Sequence, residues 1–356
     1  MHSDECVKPL DSPEIWEETG IMESLEMSSA PLPIPLVSVA ITTFNSANWL
    51  PRALDSVLKQ QTDFPIEIVI GDDCSQDTTV AIAYSYQERH PDVIRILERS
   101  KNGGIQRNYY ETFEQCRGKF IAWLDADDYW TDPEKLAIQV EAMESDPSIS
   151  LCGHFVRHVT NDGKVERDRF PCFPFRPAGR YGFEKIIRSC FIPTPSVLFR
   201  NGIQRDLPLW YFDLAPATDW PIYVFAALTG DIVLLDRVMA DYVLTPDSAG
   251  SSKGDMFWLK MHVRFYDYVE SNLPSKWHRV VRAEKGRRYE SIAYLLRKQG
   301  DFAASREAAF KAFLSPSLMD NLGSKTKALL AQLVREAEWR LSGGRAASDK
   351  PKAELK

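Results

Sequence analysis

The 356-residue sequence lacks three signals that would assign it to common protein classes. No run approaches the roughly 18 apolar residues that a membrane-spanning helix needs, and the acidic N-terminus lacks the basic and then apolar start of a secretory signal. With 43 basic and 50 acidic residues the net charge is −7, so no global positive field attracts nucleic acid or anionic lipid. We expect a cytosolic protein without a nucleic-acid partner, which reaches the inner face of a membrane only through a partner or a lipid-borne substrate.

The cysteines also lack a recognisable pattern. No C-x-x-C pair occurs, which disfavours a structural zinc site and indicates reduced thiols without disulfides. The six are Cys6, Cys74, Cys116, Cys152, Cys172 and Cys190. Cys152, His154 and His158 fall on one face of a predicted strand. The following "NDG" predicts a hairpin, so we interpret these residues as part of an antiparallel pair rather than a metal cluster.

Two glycine-rich nucleotide-binding motifs are absent. No G-x-G-x-x-G follows the first predicted strand, which disfavours a nicotinamide or flavin Rossmann site, and no G-x-x-x-x-G-K-[ST] marks a P-loop. The only glycine pair in this half of the chain is in "NGG" at residues 102–104. A phosphate-binding site in this chain would therefore have to be built on acids and a metal.

The pattern that is present alternates strands with helices from Leu36 onward. Strand-like segments rich in β-branched and apolar residues are separated by segments with apolar residues at helical spacing. The strands are "LVSVAITTF", "IEIVIGDD", "VIRILERS" and "KFIAWLDADD", and the helices are "SANWLPRALDSVLKQQ", "DTTVAIAYSYQERH" and "GGIQRNYYETFEQCRG", the last closed by Gly118. This alternation predicts a mostly parallel sheet that binds ligands at the carboxyl ends of its strands.

Polar and mostly acidic residues follow each predicted strand. The residues at the ends of the four strands are Thr42, Thr43, Phe44 and Asn45; Asp72 and Asp73; residues 102–107, ending in Arg107; and Asp125 and Asp127. An acidic cleft with an arginine beside it suits a phosphate ligand that brings Mg²⁺ or Mn²⁺, because these ions take oxygen ligands and bridge phosphate oxygens. A simpler alternative is that Asp128 or Thr131 caps a helix that begins at residues 132–134. That alternative does not account for Asp125 and Asp127.

Taken together, these motifs resemble a known enzyme family. The segments "VSVAITTFN", "ALDSVLKQ", "EIVIGDDCSQDTT" and "RNYYETFEQCRGKFIAWLDADDYWTDPEKLAIQVEAM" are similar to the catalytic half of the family 2 glycosyltransferases, inverting enzymes with a GT-A fold that use nucleotide-diphosphate sugars. The resemblance covers roughly residues 36–250. The segments "IPTPSVLFR", "ATDWPIYVFAALTGDIVLLDRVMADY" and "SAGSS" resemble a bacterial subgroup that builds surface polysaccharide or glycolipid.

The resemblance implies a role for each candidate site residue. Thr43, Asn45, Asp72 and Asp73 would hold the base and ribose of the donor, and Arg107 would meet its diphosphate. Asp125 and Asp127 match the D-x-D motif: Asp125 would face the ribose and share the metal, and Asp127 would be the leading Mn²⁺ or Mg²⁺ ligand. Asp219 matches the general base that takes the proton of the acceptor hydroxyl. Pro221 and the apolar run after it predict that Asp219 begins a helix, and Trp220 is interpreted as core.

One segment departs from the family pattern. Relatives often carry a histidine in a Y-R-x-H pattern that completes the metal shell, whereas this sequence has Val243 and Thr245 where the arginine and histidine would stand. The third protein ligand of a metal is therefore open, and so is strict metal dependence.

The chain divides into four predicted regions. Residues 1–35 are an acidic, proline-rich tail; residues 36–250 are the GT-A catalytic domain, a Rossmann-like α/β fold with a mostly parallel sheet and an antiparallel extension; residues 251–342 are helical; and residues 343–356 are a polar disordered tail. The helical region contains one tetratricopeptide-like hairpin with Gly300 at its turn and Pro316 at its end. One such hairpin cannot bury its own apolar face, so we expect it to pack on the catalytic domain, on flanking helices, or on a second subunit in a homo-oligomer.

The sequence therefore predicts an inverting glycosyltransferase that moves a sugar from a nucleotide-diphosphate donor, most simply a UDP-sugar, to a glycan or lipid-linked acceptor. Two alternatives remain. A sugar nucleotidyltransferase shares the sheet and the metal, but it needs a glycine-rich basic loop after the first strand, and "ITTFNSANW" has none. A degenerate glycosyltransferase acting as a helical adaptor fits the missing histidine, but it gives no reason to keep Asp125, Asp127 and Asp219 together.

Overall fold

The computed structural model describes residues 34–170, 177–217, 219–245 and 253–315. The two predicted tails and "SAGSS" lie wholly or largely outside these residues, and so do Pro316 and the rest of the predicted helical region up to residue 342. Among the described residues, no helix combines the length and apolar character needed to cross a bilayer.

Ten strands of the described chain form one mixed sheet, with helices between many of them. The strands are β1 Val37–Thr43, β2 Ile66–Asp72, β3 Ile94–Glu98, β4 Phe120–Asp125, β5 Tyr129–Trp130, β6 Ile149–Thr160, β7 Val165–Phe170, β8 Gly179–Tyr181, β9 Leu198–Arg200 and β10 Asp231–Leu244. The helices are α1 Leu50–Leu58, α2 Thr79–Arg89, α3 Ile105–Glu114, α4 Lys135–Ser145, α5 Phe183–Ile186, α6 Asp219–Thr229, α7 Asp255–Asn272, α8 His278–Lys298 and α9 Phe302–Phe313.

The strand order confirms the predicted mostly parallel sheet with an antiparallel extension. The order is β3-β2-β1-β4-β9-β6-β10-β5, with β7 beside β6 and β8 beside β10. The pairs β1–β2, β2–β3, β1–β4 and β6–β10 are parallel, whereas β9 runs antiparallel to both β4 and β6. The carboxyl ends of β1, β2 and β4 therefore meet at one edge, where the sequence concentrates its acids.

Of three local expectations, two are wrong and one is confirmed. The third helix ends at Glu114 rather than at Gly118. The helix expected at residues 132–134 begins at Lys135, and no side chain caps it, so the capping role of Asp128 or Thr131 is wrong. The hairpin at "NDG" is confirmed, because β6 and β7 pair antiparallel around it.

The helices after β10 contribute to the core of the sheet region. Phe265, Tyr266 and Val269 of α7 belong to the same buried apolar cluster as Trp220 of α6. The Trp220 ring packs against Phe265 at a centroid distance of 4.8 Å, and its indole N–H donates to the carbonyl of Ile186. Trp220 is thus core, as predicted. The limits of the four predicted regions stay a prediction.

Helices α8 and α9 form an antiparallel hairpin. Its turn lies at Gly300, whose φ of 84° favours glycine, and Asp301 caps α9 by accepting a hydrogen bond from the Ala304 backbone N–H. Ser305 on α9 donates to the Ala293 carbonyl on α8. The predicted helical hairpin is therefore present within the described residues.

Candidate active site

Asp72 and Asp73 hold the loops at the carboxyl end of β2. Both side chains are buried. Asp72 accepts hydrogen bonds from the Thr43 hydroxyl at 2.8 Å and from the Ser75 backbone N–H at 2.9 Å. Asp73 accepts from the backbone N–H groups of Gly103 and Gly104 at 2.7 and 2.9 Å. Backbone donors can satisfy a buried carboxylate, so these two acids fix the loop after β3 beside the end of β1.

Asn45 and Arg107 lie at the outer side of the same edge. Asn45 has a φ of 51° and accepts a hydrogen bond from the Gln76 backbone N–H through its side-chain oxygen. Arg107, on the first turn of α3, is 62 % exposed and lies 3.5 Å from Glu111. The structure therefore brings Thr43, Asn45 and Arg107 to one edge, and their contacts with a donor stay a prediction.

Asp125 ends β4 and is surrounded by donors. Its Oδ1 accepts from the Tyr109 phenol at 2.5 Å and from the Trp123 indole at 3.3 Å. Its Oδ2 accepts from the Thr194 hydroxyl at 2.9 Å. Burial raises the pKa of Asp125, and these hydrogen bonds oppose that shift. No local sequence pattern marks Tyr109 or Thr194, because each reaches Asp125 only through the fold.

Asp127 lacks such partners. No side chain of the described residues donates a hydrogen bond to its carboxylate, and the nearby Arg52 guanidinium donates instead to the Asp127 backbone carbonyl at 3.3 Å. Burial and the charge of Asp125 raise the pKa of Asp127 to about 6. An under-neutralised carboxylate beside a second one is the environment that a divalent cation relieves.

The residues present fit a divalent cation held mainly by Asp127. Both Asp125 oxygens already accept hydrogen bonds, and among the described residues no three histidine, cysteine, aspartate or glutamate side chains converge on one metal position. A metal here would take its other ligands from a phosphate-bearing ligand and water, as Mg²⁺ commonly does. The assignment of Asp125 as a second metal ligand stays a prediction.

Asp128 is a third acid at this strand end, and it is almost fully buried. It accepts a hydrogen bond of 2.7 Å from the backbone N–H of Val243 on β10. Burial and the charges of Asp127 and Asp125 raise its pKa well above the ordinary range. Asp128 therefore ties the D-x-D turn to the segment where the family histidine is missing. Its neighbour along the chain, Asp127, is only partly buried.

Asp219 begins α6, as predicted. Its Oδ1 accepts from the Trp220 backbone N–H at 2.8 Å, and its Oδ2 accepts from the thiol of Cys190 at 3.1 Å. Burial among protein groups raises the pKa of Asp219, and the charge of Asp125 adds to that rise. The Asp219 residue is nevertheless partly exposed and Cys190 is exposed, so water reaches both. Nothing in the sequence marked Cys190.

The site therefore brings two acidic groups near each other. Asp125 and Asp127 lie at the end of β4, and Asp219 lies at the start of α6, near enough for the charge of Asp125 to raise its pKa. A carboxylate with a raised pKa suits proton abstraction near neutral pH. A cation at the other acids suits a leaving group that becomes negative.

Comparison with known proteins supplies the family context. Residues 38–206 match the family model described as Glycosyl transferase family 2. An uncharacterized protein of Mycobacterium tuberculosis is 33 % identical over 207 residues, covering 58 % of each chain. An uncharacterized glycosyltransferase of a Nostoc species is 35 % identical over 212 residues, covering 58 % of this chain and 64 % of that protein. The chain thus spans less than two thirds of the length of these relatives.

Solved structures show a related fold. TarS of S. aureus, residues 1–349 in complex with UDP-GlcNAc, is similar with a TM-score of 0.61 at 20 % identity over 89 % of this chain and 94 % of that chain. The mannosyltransferase PcManGT of Pyrobaculum calidifontis, in complex with GDP-Man and Mn²⁺, is similar with a TM-score of 0.55 at 18 % identity over 91 % of this chain and 92 % of that chain. At these identities the likeness establishes the fold alone.

Proposed function

We propose that this chain, whose residues 38–206 match the Glycosyl transferase family 2 model and whose fold is that of the GT-A enzymes, transfers a sugar with inversion from a nucleotide-diphosphate donor to a glycan or lipid-linked acceptor. The observation that carries the proposal is the combination of Asp127, a carboxylate without a side-chain donor beside Asp125, with Asp219, a carboxylate near enough to Asp125 for that charge to raise its pKa. A UDP-sugar is the proposed donor.

Each group has a distinct part in a single displacement. Asp219 takes the proton of the acceptor hydroxyl while that oxygen bonds to C1 of the sugar, and the bond between C1 and the diphosphate oxygen breaks. A bound Mn²⁺ or Mg²⁺ would stabilise the negative charge that develops on the leaving diphosphate. Asp127 would bind this cation. Arg107 and the loops fixed by Asp72 and Asp73 are proposed to contact the nucleotide.

The contacts of Asp219 support its role as base. The Trp220 backbone N–H and the Cys190 thiol orient the carboxylate by hydrogen bonds. No lysine or arginine of the described residues forms an ion pair with it, so its charge is not neutralised. A strong ion pair would lower its pKa and weaken it as a base. The Cys190 thiol is a weak donor, so an acceptor hydroxyl would displace it from Oδ2 readily.

Asp219→Asn tests this function. The change should reduce release of nucleotide diphosphate from a UDP-sugar, in the presence of a panel of glycan and lipid-linked acceptors, by about 10²- to 10⁴-fold. Thermal stabilisation by the nucleotide alone should persist, and the product formed by the unaltered chain should have the anomeric configuration opposite to that of the donor. Asp213→Asn, at an exposed acid of the neighbouring turn, is the matched control and should keep full activity. Transfer at the unaltered rate by Asp219→Asn would remove Asp219 as the base.

A further inference from the structure

A fully buried lysine follows the D-x-D turn. Lys135 is the first residue of α4 and has no exposed surface, and its ammonium donates to an amide side chain rather than to a carboxylate. Burial lowers the pKa of Lys135 to about 7, because an ammonium group away from water loses its hydration. A buried charge of this kind costs stability, so its presence beside the candidate site indicates a role other than folding.

The ammonium of Lys135 fixes the orientation of one amide. Its Nζ donates to Oε1 of Gln139, one turn along α4, at 2.6 Å, and it lies 4.1 Å from the centroid of the Trp130 ring. An ammonium group donates hydrogen bonds and accepts none. It therefore requires the oxygen of the Gln139 amide on its own side and directs Nε2 the other way, which excludes the flipped amide.

The N–H groups of Gln139 and Trp130 hold a short segment from the far side of β6. Gln139 Nε2 donates to a carbonyl of β6 at 2.9 Å and to the carbonyl of Ser196 at 2.8 Å. The Trp130 indole N–H donates to the carbonyl of Pro195 at 3.0 Å. Both carbonyls belong to the 3₁₀ turn Thr194–Ser196. Two successive carbonyls of this turn are thus bound by side chains that follow the D-x-D motif.

The same turn supplies a donor to the candidate site. The Thr194 hydroxyl donates to Oδ2 of Asp125 at 2.9 Å, and Thr194 is partly exposed whereas Pro195 and Ser196 are buried. Asp125 ends β4, and the chain runs from it through β5 into α4. The contacts therefore form a closed ring, from Asp125 along the chain to α4, across to the 3₁₀ turn, and back to Asp125.

We propose that Lys135 and Gln139 are positioning residues that hold the Thr194 hydroxyl on Asp125 and so fix the Asp125 carboxylate for the donor. The inference rests on the proposed function, in which Asp125 belongs to the donor site. Neither residue contacts the ligand, because both act through Thr194. A binding group that shifts by about 1 Å loses much of its effect, so a loosened 3₁₀ turn should weaken binding of the donor.

Lys135→Met separates positioning from a structural role. Methionine fills similar space without the charge, so at about pH 6, below the Lys135 pKa of about 7, the Tm of the variant should equal or exceed that of the unaltered chain. The affinity for UDP with Mn²⁺, measured by calorimetry at about pH 7, should nevertheless fall about three- to tenfold, the effect of one hydrogen bond. A lysine with only a structural role would give a lower Tm and an unchanged affinity.

Thr194 supplies a second arm that does not depend on how well Lys135→Met folds. Thr194→Val removes the donor to Asp125 and should weaken UDP binding with Mn²⁺ by a similar factor, whereas Thr194→Ser keeps the hydroxyl and should retain most of the affinity. If Lys135 acts through Thr194, the double variant should bind UDP no more weakly than Thr194→Val alone. Additive losses in the double variant would overturn the inference.

Hydrogen exchange tests the turn without a ligand. The Val197 backbone N–H donates to the Thr194 carbonyl, and exchange in residues 194–197 should be faster in Lys135→Met than in the unaltered chain. Gln139→Glu should have the same effect, because a carboxylate keeps a partner for Lys135 and cannot donate to the Ser196 carbonyl.

Ser305→Ala is the matched control. The buried Ser305 hydroxyl donates to the Ala293 carbonyl between α8 and α9, so the variant loses a buried hydrogen bond outside the ring of contacts. Its Tm should fall, while its UDP affinity and the exchange in residues 194–197 should stay those of the unaltered chain.

The outcomes separate this inference from the function on which it rests. Weaker UDP binding and faster exchange in Lys135→Met, without a fall in Tm, support the inference. If UDP binds the unaltered chain and Lys135→Met changes neither its affinity nor the exchange, the inference is wrong and the proposed function stands. If UDP does not bind the unaltered chain with or without Mn²⁺, the proposed function fails and the inference fails with it.

Discussion

At the scale of single residues, Asp127 has an environment that disfavours its charge and suits a cation. Its carboxylate is partly buried next to Asp125 without a side-chain donor, and its pKa rises to about 6. The ligand-free chain therefore binds a proton at Asp127 more tightly than the unfolded chain does. Stability from this group is greatest at low pH and declines as pH rises towards 6, since the folded form then holds a charge that it disfavours.

Asp127→Asn should have opposite effects on stability and on binding. Without ligand at pH 8, the variant should be more stable by on the order of 1 to 3 kcal/mol, because it removes the disfavoured charge. The Mn²⁺-dependent part of nucleotide binding should be lost in the variant. In the unaltered chain that part should be full above about pH 7 and should fall as pH drops through 6, because the metal needs the ionised carboxylate.

Denaturant unfolding and nucleotide titrations with and without Mn²⁺ provide both readouts. Asp63→Asn, at an exposed acid outside the site, is the control and should change neither. A ligand-free Asp127→Asn chain that is less stable than the unaltered one would show that a donor already satisfies Asp127.

Sequence alone identified the acids of the site but not the groups around them. Asp125, Asp127 and Asp219 follow a strand or begin a helix, and those positions are visible in the pattern of the chain. The contacts of Cys190 and Tyr109 with the acids and the buried role of Asp128 were missed. Each acquires its meaning from a contact with a residue distant in sequence, as when Asp128 accepts a hydrogen bond from Val243, and no local pattern reports such contacts.

At the scale of elements, the close packing of α3 against β2 positions the loops of the candidate site. Asn108 on α3 donates to the carbonyls of Thr43 and Gly71, the ends of β1 and β2. Gly71 allows this approach, because a Cβ there would lie 1.9 Å from the Thr112 hydroxyl and 2.6 Å from the Asn108 side-chain oxygen. The close contact of this helix with the strand ends holds the loops of the donor side in place.

Gly71→Ala should therefore destabilise the chain by about 1 to 3 kcal/mol through overpacking. It should also weaken nucleotide binding, because α3 must move away from the ends of β1 and β2. Thermal unfolding and UDP titration measure the two effects. Gly254→Ala is the control, since a Cβ there meets no atom within 4 Å. Equal stability of the two variants would contradict the close packing of α3.

The alternating part of the fold was predictable at this scale, and the insertion between β4 and β10 was less so. Strands β1 to β4 and their helices carry strong apolar periodicity, and the structure confirms them. Strand β9 has only three residues. It lies in the sheet between β4 and β6, and both of these strands are distant from β9 in the sequence. Its pairing depends on tertiary contacts that a short segment such as "VLFR" does not encode by itself.

At the scale of the whole molecule, the helices after β10 complete the core beneath the candidate base. The Tyr266 hydroxyl donates to the Ile187 carbonyl, and the Arg288 guanidinium on α8 donates to the Arg188 carbonyl at 2.8 Å. Trp220, next to Asp219, packs against Phe265 and Tyr266. The sequence predicted a helical region and left open whether its hairpin packs on the catalytic domain, but no pattern indicated that α7 supplies core residues to that domain.

A chain that ends at residue 250 should therefore fail to fold stably. It would expose the apolar surface of Trp220 that α7 covers, together with the rest of that face of the core. Its circular dichroism and unfolding curve should lack a cooperative transition, whereas a chain that ends at residue 315 should keep one. A cooperative transition of unchanged midpoint in the shorter chain would show that residues 36–250 form an independent domain.

The central claim is that the acidic cleft binds a nucleotide-diphosphate sugar with the help of a metal at Asp127. The most direct measurement is the thermal shift caused by UDP, GDP, dTDP and CDP, each with and without Mn²⁺, on the unaltered chain and on Asp127→Asn. We predict selective stabilisation by one nucleotide, UDP above the others, strengthened by Mn²⁺ in the unaltered chain and not in the variant. No stabilisation by any of the four, with or without Mn²⁺, would contradict the claim and favour an adaptor that has lost its activity.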